Sequence, residues 1–181
     1  MSEAAWVQAA LAALAEGGVS AVRVEAIARK MGVTKGSFYH YFRRRRDLLD
    51  AALTAWEQLA TEQIIATTDA ASMSPRTRMT QLIQTIFHSN PTHDAVESAI
   101  REWAATDTSA QARVAAVDAR RLRYVEGLLI ALPLPPAVAQ SRAALLYRAL
   151  IGEYTWRRTG GVALDEDALD ELSRLMLTRW R

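Results

Sequence analysis

The chain of 181 residues contains no cysteine and only three histidines. The absence of cysteine excludes disulfide bonds, thiolate zinc sites and cysteine nucleophiles. His88, His93 and Asp94 come nearest to a metal-binding cluster, but Asn90-Pro91 interrupts any helix that would place them one turn apart. We therefore expect no metal site and no cofactor, and we interpret this segment as a solvated loop.

Long apolar runs are also absent. The longest uncharged apolar stretch, residues 127–139, contains three prolines and is too short to span a bilayer. The first residues lack the basic segment and apolar core of a secretion signal. We therefore expect a cytoplasmic protein with no membrane partner.

Acidic residues are scarce in one part of the chain. Residues 1–50 carry eight Lys and Arg against five Asp and Glu, whereas residues 51–181 carry fourteen against fifteen. Between Arg23 and Arg46 eight basic residues accompany a single acidic one, Glu25. This density is typical of a phosphate-binding surface. A solvated charged face is the alternative that charge alone leaves open.

Sustained alternation of apolar and polar residues is missing as well, so the pattern gives strands little support. Glycine and proline instead separate segments that have helical periodicity. The sequence predicts an all-α fold of about nine helices, near residues 3–16, 24–31, 35–42, 46–70, 75–89, 92–106, 109–131, 136–159 and 165–180.

A helix-turn-helix pattern occupies residues 24–42. The first short helix has an apolar face and ends at Gly32, which can adopt the left-handed conformation of a helix end. Thr34 can then cap a second short helix. Two short amphipathic helices with this turn are the arrangement by which many proteins present a recognition helix to DNA.

The second of these helices separates into two sets of residues. Phe38 and Phe42 lie four apart and are expected to pack against the first two helices. The outer positions carry hydrogen-bond donors that suit phosphates and base edges. An aromatic stripe packed on a neighbouring helix is the alternative, which we accept for the two phenylalanines. The outer positions are the candidate DNA contacts, Thr34, Lys35, Gly36, Ser37, Tyr39, His40 and Tyr41.

The first fifty residues resemble the DNA-binding domain of TetR-type (TetR/AcrR) transcriptional regulators. The resemblance depends on residues 12–18, Ile27-Ala28, residues 32–42 and Asp47-Leu48-Leu49. It implies a helix-turn-helix domain over residues 1–47 and a helical regulatory and dimerisation domain over residues 48–181. The implied function is a non-enzymatic repressor that binds a palindromic operator in double-stranded DNA as a homodimer and is released by a small-molecule ligand.

Two basic residues gain roles from this resemblance. In the family, the helix after the recognition helix begins with a basic residue that grips a phosphate, and this role falls here on Arg45. Many members begin the second helix with a Ser or Thr cap, whereas this chain has Val22-Arg23. Arg23 cannot accept hydrogen bonds from the helix amides, so we assign its side chain to a phosphate instead.

The resemblance also nominates a ligand cavity and a subunit interface. In the family, helices four to seven enclose the ligand and the last two helices pair with a second subunit. For every aromatic candidate, ordinary core packing is the alternative. The candidate ligand contacts are Trp56, Phe87, Arg101, Trp103, Tyr124 and Tyr147. The candidate interface residues are Ile151, Tyr154, Leu169, Leu172, Leu175 and Met176, with Leu145 and Gly152 on the same helix as Ile151.

Two other functions remain open at this stage. One is a DNA-binding regulator that responds to no effector. The other is a helical enzyme of small-molecule metabolism, which would need a convergent acid and base that the sequence does not display.

Overall fold

A computed structural model describes residues 2–70, 73–88 and 90–179, and the regular structure in these residues is entirely helical. The predicted all-α fold is therefore confirmed. None of the described helices is both long and apolar enough to cross a membrane. The helices are α1 (Glu3–Ala21), α2 (Val24–Lys30), α3 (Lys35–Tyr39), α4 (Arg45–Glu57), α5 (Gln63–Ala70), α6 (Pro75–Phe87), α7 (Pro91–Ala104), α8 (Thr108–Ile130), α9 (Pro136–Arg158) and α10 (Glu166–Leu177).

The helix boundaries differ from the predicted ones at a few places. The single helix predicted over residues 46–70 is present as α4, a π-helical turn at Gln58–Glu62 and α5. The recognition helix α3 ends at Tyr39 and not at residue 42. Residues 89 and 180, the predicted ends of two helices, lie outside the described residues.

The first helix continues beyond its predicted end. Residues Gly17 and Gly18 were expected to stop it, but helical structure resumes after them and runs to Ala21. Gly18 has a φ of +68°, which glycine adopts without the steric cost that a Cβ would bring. The pair therefore kinks α1 and does not terminate it.

The loop predicted around His93 and Asp94 is wrong. Both residues belong to the first turns of α7, and Asp94 is buried while His93 is half-buried. Proline is well tolerated at the start of a helix, where its missing N–H has no partner to lose. Asn90-Pro91 therefore begins α7 and does not open a solvated loop.

The described chain divides into two compact units. The first unit is Met1–Ala60 with Pro91–Ala115, and the second is Thr61–Asn90 with Ala116–Arg181. In the first, α1 packs against α4 and α7. In the second, α6 packs against α5, α9 and α10 around a core that includes Leu129 and Leu146. The functional division at residue 47 is a different kind of boundary and stays a prediction.

Aromatic packing holds the helix-turn-helix to α1. The ring of Phe38 meets Trp6 edge-on at 5.3 Å and stacks on Phe42 at 5.5 Å, measured between ring centroids. Trp6 and Phe38 are completely buried, and Phe42 is nearly so. The core role predicted for Phe38 and Phe42 is therefore confirmed.

We predict that Phe42→Ala destabilises the protein by about 3–5 kcal/mol, because it removes a buried aromatic ring and leaves a cavity. Urea unfolding measures the change. Tyr39→Ala is the matched control, since Tyr39 is 56% exposed and its loss should cost less than about 0.5 kcal/mol. Equal effects of the two substitutions would contradict the packing described here.

Candidate nucleic-acid interface

The turn between α2 and α3 has the geometry that the sequence predicts. Gly32 adopts a φ of +68°, and the Val33 amide donates to the Ala28 carbonyl at 2.9 Å. Gly32 therefore forms the left-handed helix end. One detail differs, because the exposed Thr34 hydroxyl makes no capping hydrogen bond to α3. Because Thr34 is exposed, a ligand can reach it.

The candidate DNA contacts are mostly exposed on and around α3. Ser37 and Tyr41 are half-buried. The Tyr41 ring meets His40 edge-on at 4.8 Å, and the Tyr39 ring meets the buried Phe38 at 5.2 Å. These contacts orient the aromatic side chains. The exposed candidates are Arg23, Thr34, Lys35, Gly36, Tyr39, His40 and Arg45.

Two lysines of this region are engaged in ion pairs. The Lys35 ammonium contacts the Glu25 carboxylate, and Lys30 contacts Glu16. The hydrogen bond to Lys35 lowers the pKa of Glu25, and the same bond raises the pKa of Lys35. All four side chains are largely exposed, so a phosphate can compete for either lysine. The sequence does not reveal the ion pair between Glu25 and Lys35, because these residues lie on different helices.

The four consecutive arginines do not form one patch. Arg43 and Arg44 are exposed, and their backbone amides both donate to the Asp47 carboxylate, at 3.1 and 2.9 Å. This bonding fixes the backbone at the start of α4 and leaves most of the Arg44 side chain in solvent. These two arginines are therefore the members of the run that are best placed to meet a phosphate.

Arg45 and Arg46 are turned toward the protein. The Arg45 guanidinium donates to the Val19 and Val22 carbonyls at the end of α1. Arg46 donates to Asp107 at 2.7 Å and to Asp50 at 3.0 Å. A sequence pattern reports the charge of each arginine but not its direction.

Arg46 also links α4 to the junction between α7 and α8. Its guanidinium lies 5.7 Å from the centre of the Trp103 ring, a cation–π distance. Asp107 accepts a hydrogen bond from the Ala110 amide, and this bond together with Arg46 lowers the pKa of Asp107 to about 2. Asp107 is therefore ionised at neutral pH, where it holds both Arg46 and the start of α8.

The six predicted ligand contacts fall into both compact units. Trp56, Arg101 and Trp103 belong to the first unit, and Phe87, Tyr124 and Tyr147 belong to the second.

The predicted ligand contacts of the first unit interact with neighbouring side chains. The Trp56 indole donates to Glu97 at 2.8 Å, and the Arg101 guanidinium donates to the other oxygen of the same carboxylate at 2.9 Å. Glu97 is fully buried. A buried carboxylate needs a compensating charge, and Arg101 provides it. Trp103 is buried next to Arg46.

The predicted ligand contacts of the second unit are also hydrogen-bonded or buried. Tyr147 donates to Asp118 at 2.6 Å, and Tyr124 donates to Asp69 at 2.8 Å. Burial, followed by the bond to Asp69, raises the pKa of Tyr124 to about 12. Phe87 lies at the edge of a cavity of about 660 Å³, and none of the other five predicted contacts lines this cavity. Its lining is Gln84, Phe87, His88, Ala163, Leu164, Asp165, Glu166, Leu169 and Asp170.

The predicted interface residues differ in exposure. Leu175 is exposed, and Ile151, Leu169 and Leu172 are half-buried against the core of the second unit. Tyr154 and Met176 are members of that core. One exposed aromatic residue was missed by sequence reasoning: Trp156, which is 59% exposed. Its spacing of eleven residues from Leu145, three helical turns, was the signal that was available.

Comparison with known proteins identifies the N-terminal segment. Residues 7–52 match the sequence model of a family described as bacterial regulatory proteins, tetR family. Among curated protein sequences, none matches the chain significantly.

Three solved structures share the fold across nearly the whole chain. A TetR-family transcriptional regulator from Rhodococcus sp. is 20% identical, with a TM-score of 0.75 and coverage of 97% of this chain and 98% of that one. A transcriptional regulator from Saccharomonospora viridis in complex with choline is 15% identical, with a TM-score of 0.76 and coverage of 96% and 92%. AibR in complex with isovaleryl coenzyme A and operator DNA is 17% identical, with a TM-score of 0.71 and coverage of 97% of each chain. At these identities the likeness is one of fold.

Proposed function

We propose that this chain is a repressor that binds a palindromic operator as a homodimer and is released by a small molecule. The proposal is supported by the match of residues 7–52 to the sequence model of bacterial regulatory proteins, tetR family. The observation that carries the proposal is the exposure of Thr34, Lys35, Gly36, Tyr39 and His40 beside Arg23, Arg43 and Arg44. The protein acts by binding and not by catalysis. Its DNA partner places its action in the cytoplasm.

The proposed contacts divide between phosphates and bases. Lys35 and Tyr39 are assigned to phosphates, because an ammonium and a phenol at an exposed helix face reach the backbone of a duplex. Ser37 and His40 are assigned to base edges, and the hydroxyl of Ser37, which is buried in the structure, must turn outward to reach one. The five residues of α3 can read few base pairs, so two copies on a symmetric site are needed for specificity.

We predict that Lys35→Ala weakens binding to every duplex by a similar factor and reduces the magnitude of the negative salt slope, d log K/d log [salt], by about one unit. Glu25→Gln should act oppositely, because it releases Lys35 from its ion pair. Fluorescence anisotropy with an operator selected from a randomised library, repeated over a range of salt concentrations, measures both effects.

The matched control is Glu16→Gln, which makes the same change of charge but releases Lys30, a residue outside the proposed contacts. It should raise affinity less than Glu25→Gln does. An unchanged salt slope in Lys35→Ala would remove Lys35 from the proposed interface. A wild-type protein that binds no duplex at any salt concentration would overturn the proposed function.

A second copy of the chain is the proposed partner for one face of α9. Leu145 and Trp156 are both exposed on this face, with Ala149 and Gly152 between them at helical spacing. The two small residues allow close helix approach. Tyr154 and Met176 are occupied in the core of the second unit, so in our proposal they support the interface from behind.

The ring of Trp156 is fixed in place on the proposed interface. Its indole donates to the Val162 carbonyl at 3.1 Å and lies over Gly161, where an added Cβ would come within 2.2 Å of the ring. An exposed aromatic ring fixed in this way loses little conformational freedom on binding. Exposed apolar residues that share one helix face are typical of an interaction surface.

We predict that Leu145→Glu gives a monomer at micromolar concentration with much weaker operator binding, because it places a carboxylate on the proposed interface. Leu145 is 63% exposed, so the substitution should leave the free energy of unfolding of the monomer nearly unchanged. Sedimentation velocity measures the oligomeric state. Gln140→Glu is the control, since Gln140 is exposed on another side of α9; a dimer that persists in Leu145→Glu would exclude this face.

The proposed effector is a small, largely apolar molecule that contacts Trp103. Movement of Trp103 would disturb Arg46, which lies over its ring and belongs to the first turn of the helix that follows the recognition helix. Arg101 is already paired with the buried Glu97, so we do not assign it to an acidic group of the ligand. By linkage, operator DNA must weaken effector binding by the factor by which the effector weakens operator binding.

We predict that Trp103→Ala raises the concentration of effector needed to release the operator, because the ring that senses the ligand is lost. The measurement is release of a labelled operator in a screen of apolar acids, esters and amines. Ile100→Ala, which opens a cavity at a fully buried residue of the same helix that is not a candidate ligand contact, controls for general loosening. A compound that releases wild type and Trp103→Ala equally would show that Trp103 is not a contact.

A further inference from the structure

The carboxyl end of α1 is bonded to a residue of α4. The last carbonyls of a helix have no partner within the helix, and two at the end of α1 accept hydrogen bonds from Arg45. The Nη2 group donates to the Val19 carbonyl, and Nε donates to the carbonyl of Val22, the cap residue that follows the helix. A cation at this position also interacts favourably with the helix dipole.

Only an arginine has the shape for this contact. The guanidinium is a planar fork with five N–H donors, so it can hold two carbonyls in a fixed relative position. Lysine carries the same charge on a flexible stem and acts as a point donor. A substitution of Arg45 by Lys therefore separates the geometry of the contact from its charge.

Arg45 thereby fixes the segment that joins α1 to α2. The Val22 carbonyl that it binds belongs to the peptide unit directly before Arg23. The Arg23 amide donates to Ala21 at 2.8 Å, and its carbonyl accepts from Ile27 at 2.9 Å. The backbone of Arg23 is thus tied to both helices, and its side chain is exposed.

We propose that Arg45 is a positioning residue for DNA binding, which holds the α1–α2 junction so that Arg23 meets a phosphate. The proposal rests on the proposed function, because Arg23 needs a phosphate to meet. In this proposal Arg45 contributes to DNA binding through Arg23. If Arg45 itself bound a phosphate, its effect would not depend on Arg23. Arg43 and Arg44, which are exposed, supply the direct charge.

The first test measures the junction without DNA. Hydrogen exchange of the Val22 and Arg23 amides, which are bonded to Val19 and Ala21, is compared in the wild type and in Arg45→Lys. We expect exchange at these two amides to accelerate about tenfold while core amides of α4 are unchanged. The control is Arg44→Lys, because the Arg44 side chain is mostly in solvent and should leave both amides as they are. Unchanged exchange in Arg45→Lys would overturn the anchoring.

The second test is a double-mutant cycle on the selected operator. Arg45→Lys should weaken operator binding about tenfold although the charge is kept, and Arg23→Ala should cost about tenfold alone but less than about threefold in the Arg45→Lys background. The pair Arg44→Lys with Arg23→Ala should be additive. Additive effects of Arg45→Lys and Arg23→Ala, or full affinity in Arg45→Lys, would overturn the positioning role.

The two proposals fail in different ways. If the wild-type protein binds no duplex, the proposed function is wrong and the positioning role is lost with it, whatever the exchange rates show. If the wild type binds and the cycle is additive, the proposed function stands and only the action of Arg45 through Arg23 is excluded.

Discussion

The burial of Phe38 is the contact on which the proposed DNA-binding surface depends. A helix of five residues has no stability of its own in water, so α3 exists because the side chain of Phe38 is inserted between Trp6 and Phe42. The residues on either side of Phe38 are then presented to solvent in a fixed order. The affinity of this surface for DNA and the stability of the first unit are therefore not independent properties.

The arginines at residues 43–46 have structural as well as electrostatic roles. Consecutive residues of a helix point about 100° apart, so the arginines that begin α4 reach different partners. Arg45 closes the end of α1, and Arg46 joins Trp103 and Asp107. A count of basic residues would assign all four arginines to phosphates. In the structure the exposed Arg43 and Arg44 are the two that are best placed to bind one.

Structure that depends on residues close in the chain was predictable from the sequence, whereas contacts between distant segments were not. The 3.6-residue periodicity and the position of Gly32 predicted the helices and the turn, because both are local properties. The pairing of Glu25 with Lys35 and of Glu97 with Trp56 and Arg101 depends on how helices meet. The same limit applies to α9, where periodicity marks an apolar residue such as Tyr154 or Leu145 but does not tell which one the core of the unit buries.

Sensing and DNA binding are proposed to meet within the first unit, at the first turn of α4. That turn is held on one side by Arg45 and on another by Arg46, and both contacts are partly exposed. An exposed ion pair contributes little free energy by itself. An effector that displaced only the ring of Trp103 would therefore change operator affinity weakly. Strong release requires that the contacts of Arg46 and those of Arg45 change together, which is possible because the backbone of both residues belongs to the same turn of α4.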